Sequence, residues 1–269
     1  MKKHDQPTRK KKSDVVLNIL MVVFLLVFVV SASVLGKKLW DAHQQKVKYD
    51  ELAQIAGMQQ TVPAQPEDPA QPTPEPLTKE ERFTRLLEVN KNFVGWLNVP
   101  DTAINYPVVF TPDSPEYYLR RDFYGEWAMG GVLFMGEGCQ LDGNSFMIHG
   151  HNMDNGTMFA DLMNYQEESY YKDHPVLNYN TMDEDGRYQI LGAIYYDADD
   201  PPEFPVYSYV GRLDDARFRE VTDFISRRTL YQTGATAVPG DTLMMLSTCS
   251  YHTEEGRFIV AAVKYNSEV

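Results

Sequence analysis

The second half of the chain alternates apolar and polar residues with the period of two that is typical of half-buried β-strands. Helical spacing of apolar residues appears in two stretches, 157–165 and 214–231. The pattern therefore predicts a mainly β domain with peripheral helices. Six strands are predicted, at residues 102–110, 130–135, 144–150, 187–198, 242–249 and 257–265.

The folded domain is predicted to begin near Thr78. Thr78 and Glu81 have the spacing of a capping box, and apolar residues follow at helical intervals. The 192 residues of 78–269 suit a single domain. A closed or nearly closed barrel is the favoured architecture, because closure removes the unpaired edges of so many strands.

A long apolar run precedes this domain. Residues 15–36 carry no formal charge, and 22 helical residues span ~33 Å, enough to cross a bilayer core. A cleaved signal peptide is the alternative, but its apolar region should be shorter. Six basic residues lie before the run, so the positive-inside rule places the tail, 1–14, in the cytoplasm and the rest of the chain outside the cell membrane.

Residues 37–77 are predicted to connect the anchor to the domain. The first part, to residue 60, is compatible with a short stalk helix. Residues 61–77 contain six prolines, which favour an extended spacer of ~50 Å.

The charge is unevenly distributed. The chain has a net charge of −13, with +4 in the first 14 residues and −17 in the remainder. A domain this acidic is a poor polyanion binder, so nucleic acid is not expected as a partner.

The two cysteines provide the candidate chemistry. They could form a disulfide, as exported proteins often do. Cys249, however, ends an apolar strand, and an antiparallel hairpin with the next strand would set it beside Arg257, with Cβ atoms ~5 Å apart. A nearby cation favours the thiolate, and a histidine base would complete a nucleophilic site. His149, His151 and His252 are the candidates, and the residues alone leave the disulfide and the nucleophile equally open.

Several segments together resemble class B sortases, which are membrane-anchored cysteine transpeptidases of Gram-positive bacteria. LSTCSYHTEEGR is similar to the sortase signature of a strand end that carries the nucleophile and a neighbouring strand that carries arginine. FMIHGHNMDNGTMFADL resembles the class B segment around the catalytic histidine. The resemblance extends over nearly all of 78–269 and implies a closed barrel of about eight strands, with an N-terminal helix and a helix inserted before the nucleophile strand.

The resemblance implies roles for individual residues. Cys249 would be the nucleophile, His151 the general acid and base, and Arg257 the cation that positions substrate and stabilises the oxyanion. His149 stands where the family usually has tyrosine. Candidate substrate-binding residues are the strand residues Ser247 and Thr248 and, from the segment that helps to form the family's substrate groove, Tyr207 and Leu213.

The implied reaction is acyl transfer without a metal or organic cofactor. The enzyme would cleave a C-terminal sorting motif of secreted proteins after threonine and join the product to a peptidoglycan amine. Polymerisation of pilins through a lysine and simple hydrolysis are the enzymatic alternatives. A metal site at His149, His151, His252 and Cys249, or a non-catalytic wall-binding module tethered to the membrane, are alternatives of other classes.

Overall fold

A computed structural model describes residues 12–58, 77–199, 203–250 and 252–265. Most of the predicted proline-rich spacer lies outside the described residues. By its contacts the chain divides into two compact units, Met1–Val47 and Lys48–Val269.

The first unit contains most of a single helix, α1, which runs from Lys12 to Ala56. The side chains of Val16 to Leu35 are all exposed. Within the described residues, this is the one helix long and apolar enough to cross a membrane. The predicted anchor is thus helical and is compatible with a membrane span.

The end of α1 belongs to the second unit. Tyr49, Leu52, Ala53 and Ala56 are buried in the same apolar cluster as the barrel interior. Their spacing of three and four places them on one face of the helix. The sequence pattern predicted a stalk for these residues. They become part of the core because they pack against barrel residues that lie much later in the chain, which a local pattern does not reveal.

Helix α2, Lys79–Val89, begins where the capping box predicts. The Thr78 hydroxyl accepts a hydrogen bond from the Glu81 amide at 3.2 Å, and the Glu81 carboxylate accepts one from the Thr78 amide at 2.8 Å. Phe83 and Leu86 bury the inner face of the helix. The predicted start of this helix is confirmed.

Eight strands form a closed barrel among the described residues. All six predicted strands are present, and two further strands, Phe93–Asn98 and Val176–Asn180, were not predicted. The strands are β1 Phe93–Asn98, β2 Asn105–Val109, β3 Leu133–Met135, β4 Ser145–His149, β5 Val176–Asn180, β6 Asp185–Asp197, β7 Leu243–Cys249 and β8 Gly256–Lys264.

The strands follow the order β1-β2-β3-β4-β7-β8-β6-β5 around the barrel, and β5 closes it against β1. Two neighbouring pairs are parallel, β2 with β3 and β4 with β7, and the others are antiparallel. The parallel pair of β4 and β7 joins segments almost 100 residues apart. It brings the carboxyl ends of both strands to the same edge of the barrel.

Alternation along the strands separates two apolar clusters. On β7, Met244 and Leu246 point into the barrel interior, whereas Leu243 and Met245 belong to a second cluster on the outer face. This is the period of two expected for a strand buried on both faces. By the same alternation, Ser247 and Cys249 continue the outer row.

The remaining helices lie around the barrel. The predicted helix at 157–165 is a 3₁₀ helix, Ala160–Gln166, and a short helix, α3, follows it at Glu168–Asp173. Helix α4, Asp215–Arg228, precedes β7 in the chain, and its buried face covers the outer apolar cluster. Helix α4 confirms the helix expected before the strand that carries Cys249.

Candidate active site

A groove of about 1010 Å³ lies at the edge of the barrel where β4 and β7 end. It is lined by residues from the loop after β2, the loop after β3, the ends of β4 and β7, the start of β8 and the segment 207–210. The groove brings together six residues that the sequence predicts to act in catalysis or substrate binding. The candidate histidine His149 lies beside them. They are His151, Tyr207, Ser247, Thr248, Cys249 and Arg257.

Cys249 and Arg257 face each other across the β7–β8 hairpin. They are directly opposed in the strand register, on the outer face of the sheet. The predicted antiparallel pairing is confirmed, and opposed side chains on neighbouring strands lie within contact distance of each other. The register therefore places the cationic Arg257 side chain beside the Cys249 thiol.

The Arg257 guanidinium is held by groups on its own hairpin. It donates to the Gly256 carbonyl at 3.0 Å and to the Glu255 carboxylate at 3.1 Å. The Arg257 side chain is 28% exposed and that of Glu255 is 52% exposed, so solvent screens this ion pair. A weakly held pair of this kind leaves the guanidinium able to bind an anionic group in the groove.

Hydrogen bonds tie the turn after β4 to the end of β7. The Gly150 amide donates to the Ser247 carbonyl at 3.1 Å, and the Thr248 hydroxyl donates to the Gly150 carbonyl at 2.8 Å. Asn152 donates its side-chain amide to the Cys249 carbonyl at 3.2 Å. These bonds fix His151, which lies between Gly150 and Asn152, beside the strand end that carries the thiol.

The His151 ring is oriented by a backbone carbonyl. Its Nε2 lies 2.9 Å from the Leu119 oxygen, which only accepts hydrogen bonds, so Nε2 carries the proton. Nδ1 is then the nitrogen that exchanges a proton in the neutral ring. Burial lowers the pKa of His151, although the bond to Leu119 opposes this effect. Burial therefore favours the neutral base near pH 7.

His149 lies two residues earlier and occupies a different environment. Its ring stacks between Phe134, with centroids 5.4 Å apart, and Tyr207, at 5.8 Å. The ring also passes over Gly136, where a Cβ would lie only 2.4 Å from Nε2. Burial, reinforced by the nearby Arg257 charge, lowers the pKa of His149 to about 4. His149 is thus a neutral aromatic wall of the groove.

Tyr207 connects this aromatic wall to the strand of the thiol. Its hydroxyl lies 3.1 Å from the Ser247 hydroxyl, and Tyr196 packs edge-on against its ring at 5.6 Å. Burial raises the pKa of Tyr207, so the phenol keeps its proton and remains a donor. Ser247 and Thr248 are almost fully buried, but both reach the wall of the groove.

Leu213 is placed elsewhere. It is 5% exposed and packs in the outer apolar cluster. Asn144 holds its backbone on both sides, accepting from the Leu213 amide at 2.7 Å and donating to its carbonyl at 3.0 Å. Leu213 is not among the described residues that line the groove, and its side chain packs in the outer apolar cluster.

The remaining alternatives of the sequence analysis concern the second cysteine and a metal. Cys139 and Cys249 are both free thiols, and Cys139 is buried, which raises its pKa. His252 lies in the turn after β7, where its Nδ1 is 2.9 Å from the Ser250 hydroxyl. Within the described part of the chain, no group of three or more His, Cys, Asp or Glu side chains is arranged to hold a metal.

Sequence reasoning missed three groups that shape this site. The Leu119 carbonyl, Asn152 and Glu255 orient His151, the Cys249 backbone and Arg257. Asn152 and Glu255 are close in sequence to residues that the motifs singled out, so their proximity was a usable signal. A backbone carbonyl from a loop some 30 residues away leaves no such signal.

Comparison with known proteins gives a consistent result. Residues 97–265 match the model of the Sortase domain family. The chain is 31% identical to sortase B of Listeria monocytogenes over 186 residues, which are 65% of this chain and 70% of that protein.

Two solved structures have a similar fold. A Staphylococcus aureus sortase B–substrate complex has a TM-score of 0.69 at 23% identity, over 85% of this chain and 100% of that chain. A sortase B structure complexed with triglycine also has a TM-score of 0.69 at 23% identity, over 84% of this chain and 100% of that chain.

Proposed function

Given that this chain belongs to the sortase family of cysteine transpeptidases, we propose that Cys249, His151 and Arg257 are its catalytic residues. The substrate is the C-terminal sorting motif of a secreted protein, and the acceptor is an amine of peptidoglycan. The observation that carries the proposal is the meeting in one groove of a thiol, a guanidinium directly opposite it, and an oriented imidazole.

The first half of the reaction forms a thioester. The Cys249 proton passes to Nδ1 of His151, and sulfur attacks the threonine carbonyl of the sorting motif. The carbonyl oxygen becomes an oxyanion that Arg257 stabilises. The C–N bond then breaks, and His151 returns its proton to the departing amine, leaving the acyl group on sulfur.

The second half forms the new amide. An incoming amine attacks the thioester and loses a proton to His151, and the Cys249 thiolate departs and recovers that proton. An amine acceptor is consistent with the relative that was solved with triglycine, since that peptide carries a free amine at its first residue. Tyr207, Ser247 and Thr248 line the groove, which supports a role for them in contacting the bound motif.

Residues 15–36 anchor the enzyme, with residues 1–14 in the cytoplasm and the catalytic domain outside the cell. The six basic residues before the apolar run support this orientation. Cys249 is then accessible to a membrane-impermeant thiol reagent in intact cells. Labelling of Cys249 only after the cells are broken would contradict the orientation.

The activity is tested with the full chain in detergent and a panel of fluorogenic sorting peptides, with and without amine acceptors. Cys249→Ala, His151→Ala and Arg257→Ala are each expected to abolish cleavage. Cys139→Ala is the matched control, because this second thiol does not line the groove, and it is expected to retain activity.

Mass spectrometry of the products separates the alternatives. A ligation product that requires the amine establishes the transpeptidase, and a product formed only with a lysine-bearing pilin segment would instead indicate pilin polymerisation. Release of the free acid with every acceptor would indicate a hydrolase. Cleavage that survives Cys249→Ala would remove the nucleophile assignment, and inactivity toward a broad library would favour the wall-binding module.

A further inference from the structure

The loop between β2 and β3 supplies the carbonyl that orients His151. Leu119 lies in this loop, and its oxygen accepts the Nε2 proton at 2.9 Å. The tautomer of His151, and with it the position of the proton-exchanging Nδ1, depends on where this carbonyl points. A carbonyl in a loop keeps its direction only if neighbouring residues support it.

Gly131, at the other end of the same loop, provides that support. It adopts a positive φ of 57°, and its Cα packs directly against the peptide of Leu119. A Cβ at this position would lie 2.5 Å from the Tyr118 oxygen and 2.6 Å from the Leu119 oxygen. Because the two backbones are in contact, the position of the Gly131 backbone limits the positions that the Leu119 carbonyl can adopt.

The end of α1 holds Gly131 by a hydrogen bond. The Tyr49 hydroxyl donates to the Gly131 carbonyl at 2.7 Å, within the barrel unit. The Tyr49 ring is buried and packs edge-on against Tyr106, with centroids 5.2 Å apart. A rigid, buried donor thus sets the position of a peptide that touches the Leu119 carbonyl.

Lys48, the residue before Tyr49, binds the middle of the β2–β3 loop through ion pairs. Lys48 contacts the Asp122 carboxylate at 2.8 Å and that of Glu126 at 2.6 Å. Asp122 is almost fully buried, and its second oxygen accepts the amides of Tyr124 and Glu126. The helix end consequently holds the loop at two points, one of which is the Gly131 backbone that packs against Leu119.

We propose that Tyr49 is a positioning residue for His151, acting through the Gly131 backbone and the Leu119 carbonyl. This inference rests on the proposed catalytic role of His151. Tyr49 precedes the part of the chain that matches the family model, residues 97–265. In this proposal the end of α1 orients the His151 ring, in addition to packing against the barrel.

The test compares Tyr49→Phe with Tyr231→Phe in the full chain in detergent. Tyr231 is a matched control, because its buried hydroxyl also donates to a backbone carbonyl at 2.7 Å, that of Tyr165, and it does not line the groove. Each variant loses a buried hydroxyl that donates to a backbone carbonyl. A purely structural role predicts the same consequences for both.

The first readout is the tautomer of His151, measured by long-range ¹H–¹⁵N correlation with ¹⁵N-labelled histidine at a pH above the histidine pKa. The six histidines of the chain are few enough for assignment with His151→Gln. Tyr49→Phe is expected to reduce the Nε2-protonated population of His151, and Tyr231→Phe is expected to leave it unchanged. An unchanged tautomer in Tyr49→Phe, or an equal change in both variants, would overturn the proposal.

The second readout is turnover of a cleaved sorting peptide. Tyr49→Phe is expected to lower kcat about five-fold, the effect of one net hydrogen bond, with KM unchanged. A changed tautomer with unchanged kcat would also overturn the proposal. If the parent cleaves no peptide, the proposed function has failed, but the spectra still decide whether Tyr49 positions His151.

Discussion

His149 and His151 show how strongly local surroundings separate two identical side chains. Both line the groove, although β4 ends at His149. His151 meets a carbonyl that fixes its proton, whereas His149 lies between two aromatic rings beside a guanidinium. One ring has its proton fixed on Nε2, and burial holds the other neutral.

The depressed pKa of His149 predicts a contribution to stability that depends on pH. The pKa is about 4 in the folded chain against an ordinary value of 6.5. Between these two pH values His149 is protonated in the unfolded chain but neutral in the folded chain. The free energy of unfolding therefore falls as the pH drops from 6.5 toward 4. The loss amounts to about 3 kcal/mol when complete.

His149→Phe keeps an aromatic ring in the stack and removes this titration. Urea unfolding of parent and variant, followed from pH 8 to pH 4, is expected to show a stability loss smaller by about 3 kcal/mol in the variant. At pH 8 the histidine is neutral in both states, so the difference between parent and variant there measures only the effect of the substitution on packing. Parallel pH curves for the two proteins would contradict the depressed pKa.

At the scale of the element, helix α2 illustrates a structure that its own sequence specifies. Thr78 and Glu81 satisfy each other's backbone amides, and the buried Phe83 and Leu86 attach the helix to the barrel. The cap therefore contributes to the stability of the whole unit. The same local logic fixes the antiparallel β7–β8 hairpin, which needs only a short turn to set Cys249 opposite Arg257.

Thr78→Ala is expected to lower the free energy of unfolding by about 1 kcal/mol, because an N-terminal amide loses its acceptor. Thr78→Ser is the matched control, since serine retains the hydroxyl, and it is expected to behave like the parent. Urea unfolding monitored by circular dichroism measures both. Equal losses in the two variants would show that the methyl group of Thr78, and not its hydroxyl, is responsible.

For the whole molecule, the compact unit begins at Lys48 and not at α2. The end of α1 contributes two large buried side chains, Tyr49 and Leu52, and Asn105 donates to the Met58 carbonyl at 2.7 Å. A domain cut at the start of α2 loses these contacts and exposes the surface beneath them.

A chain that begins at residue 78 is therefore expected to unfold at lower urea concentration than one that begins at residue 48. Burial of the leucine and tyrosine side chains alone predicts a difference of at least about 3 kcal/mol. Urea titrations of the two fragments under identical conditions measure it. Coincident midpoints would mean that residues 48–58 contribute nothing to the stability of the barrel.

The sequence by itself predicted the six strongly patterned strands, the start of α2 and the helix before β7, and it singled out Cys249, His151 and Arg257. These features are local, because hydrophobic periodicity and capping chemistry are determined within a few residues. Strands β1 and β5 were missed because each contains poor strand formers, Gly95 and Asn98 in β1 and Asn178 and Asn180 in β5. Their pairing with each other decides their structure.

Only the tertiary structure decided how distant segments meet. The parallel pairing of β4 with β7 brings His151 to Cys249, the Leu119 carbonyl selects the tautomer, and Tyr49 is buried behind the loop that supplies it. Leu213, by contrast, is taken into the core. Each outcome depends on contacts between residues far apart in the chain, and such contacts depend on packing that no local pattern encodes.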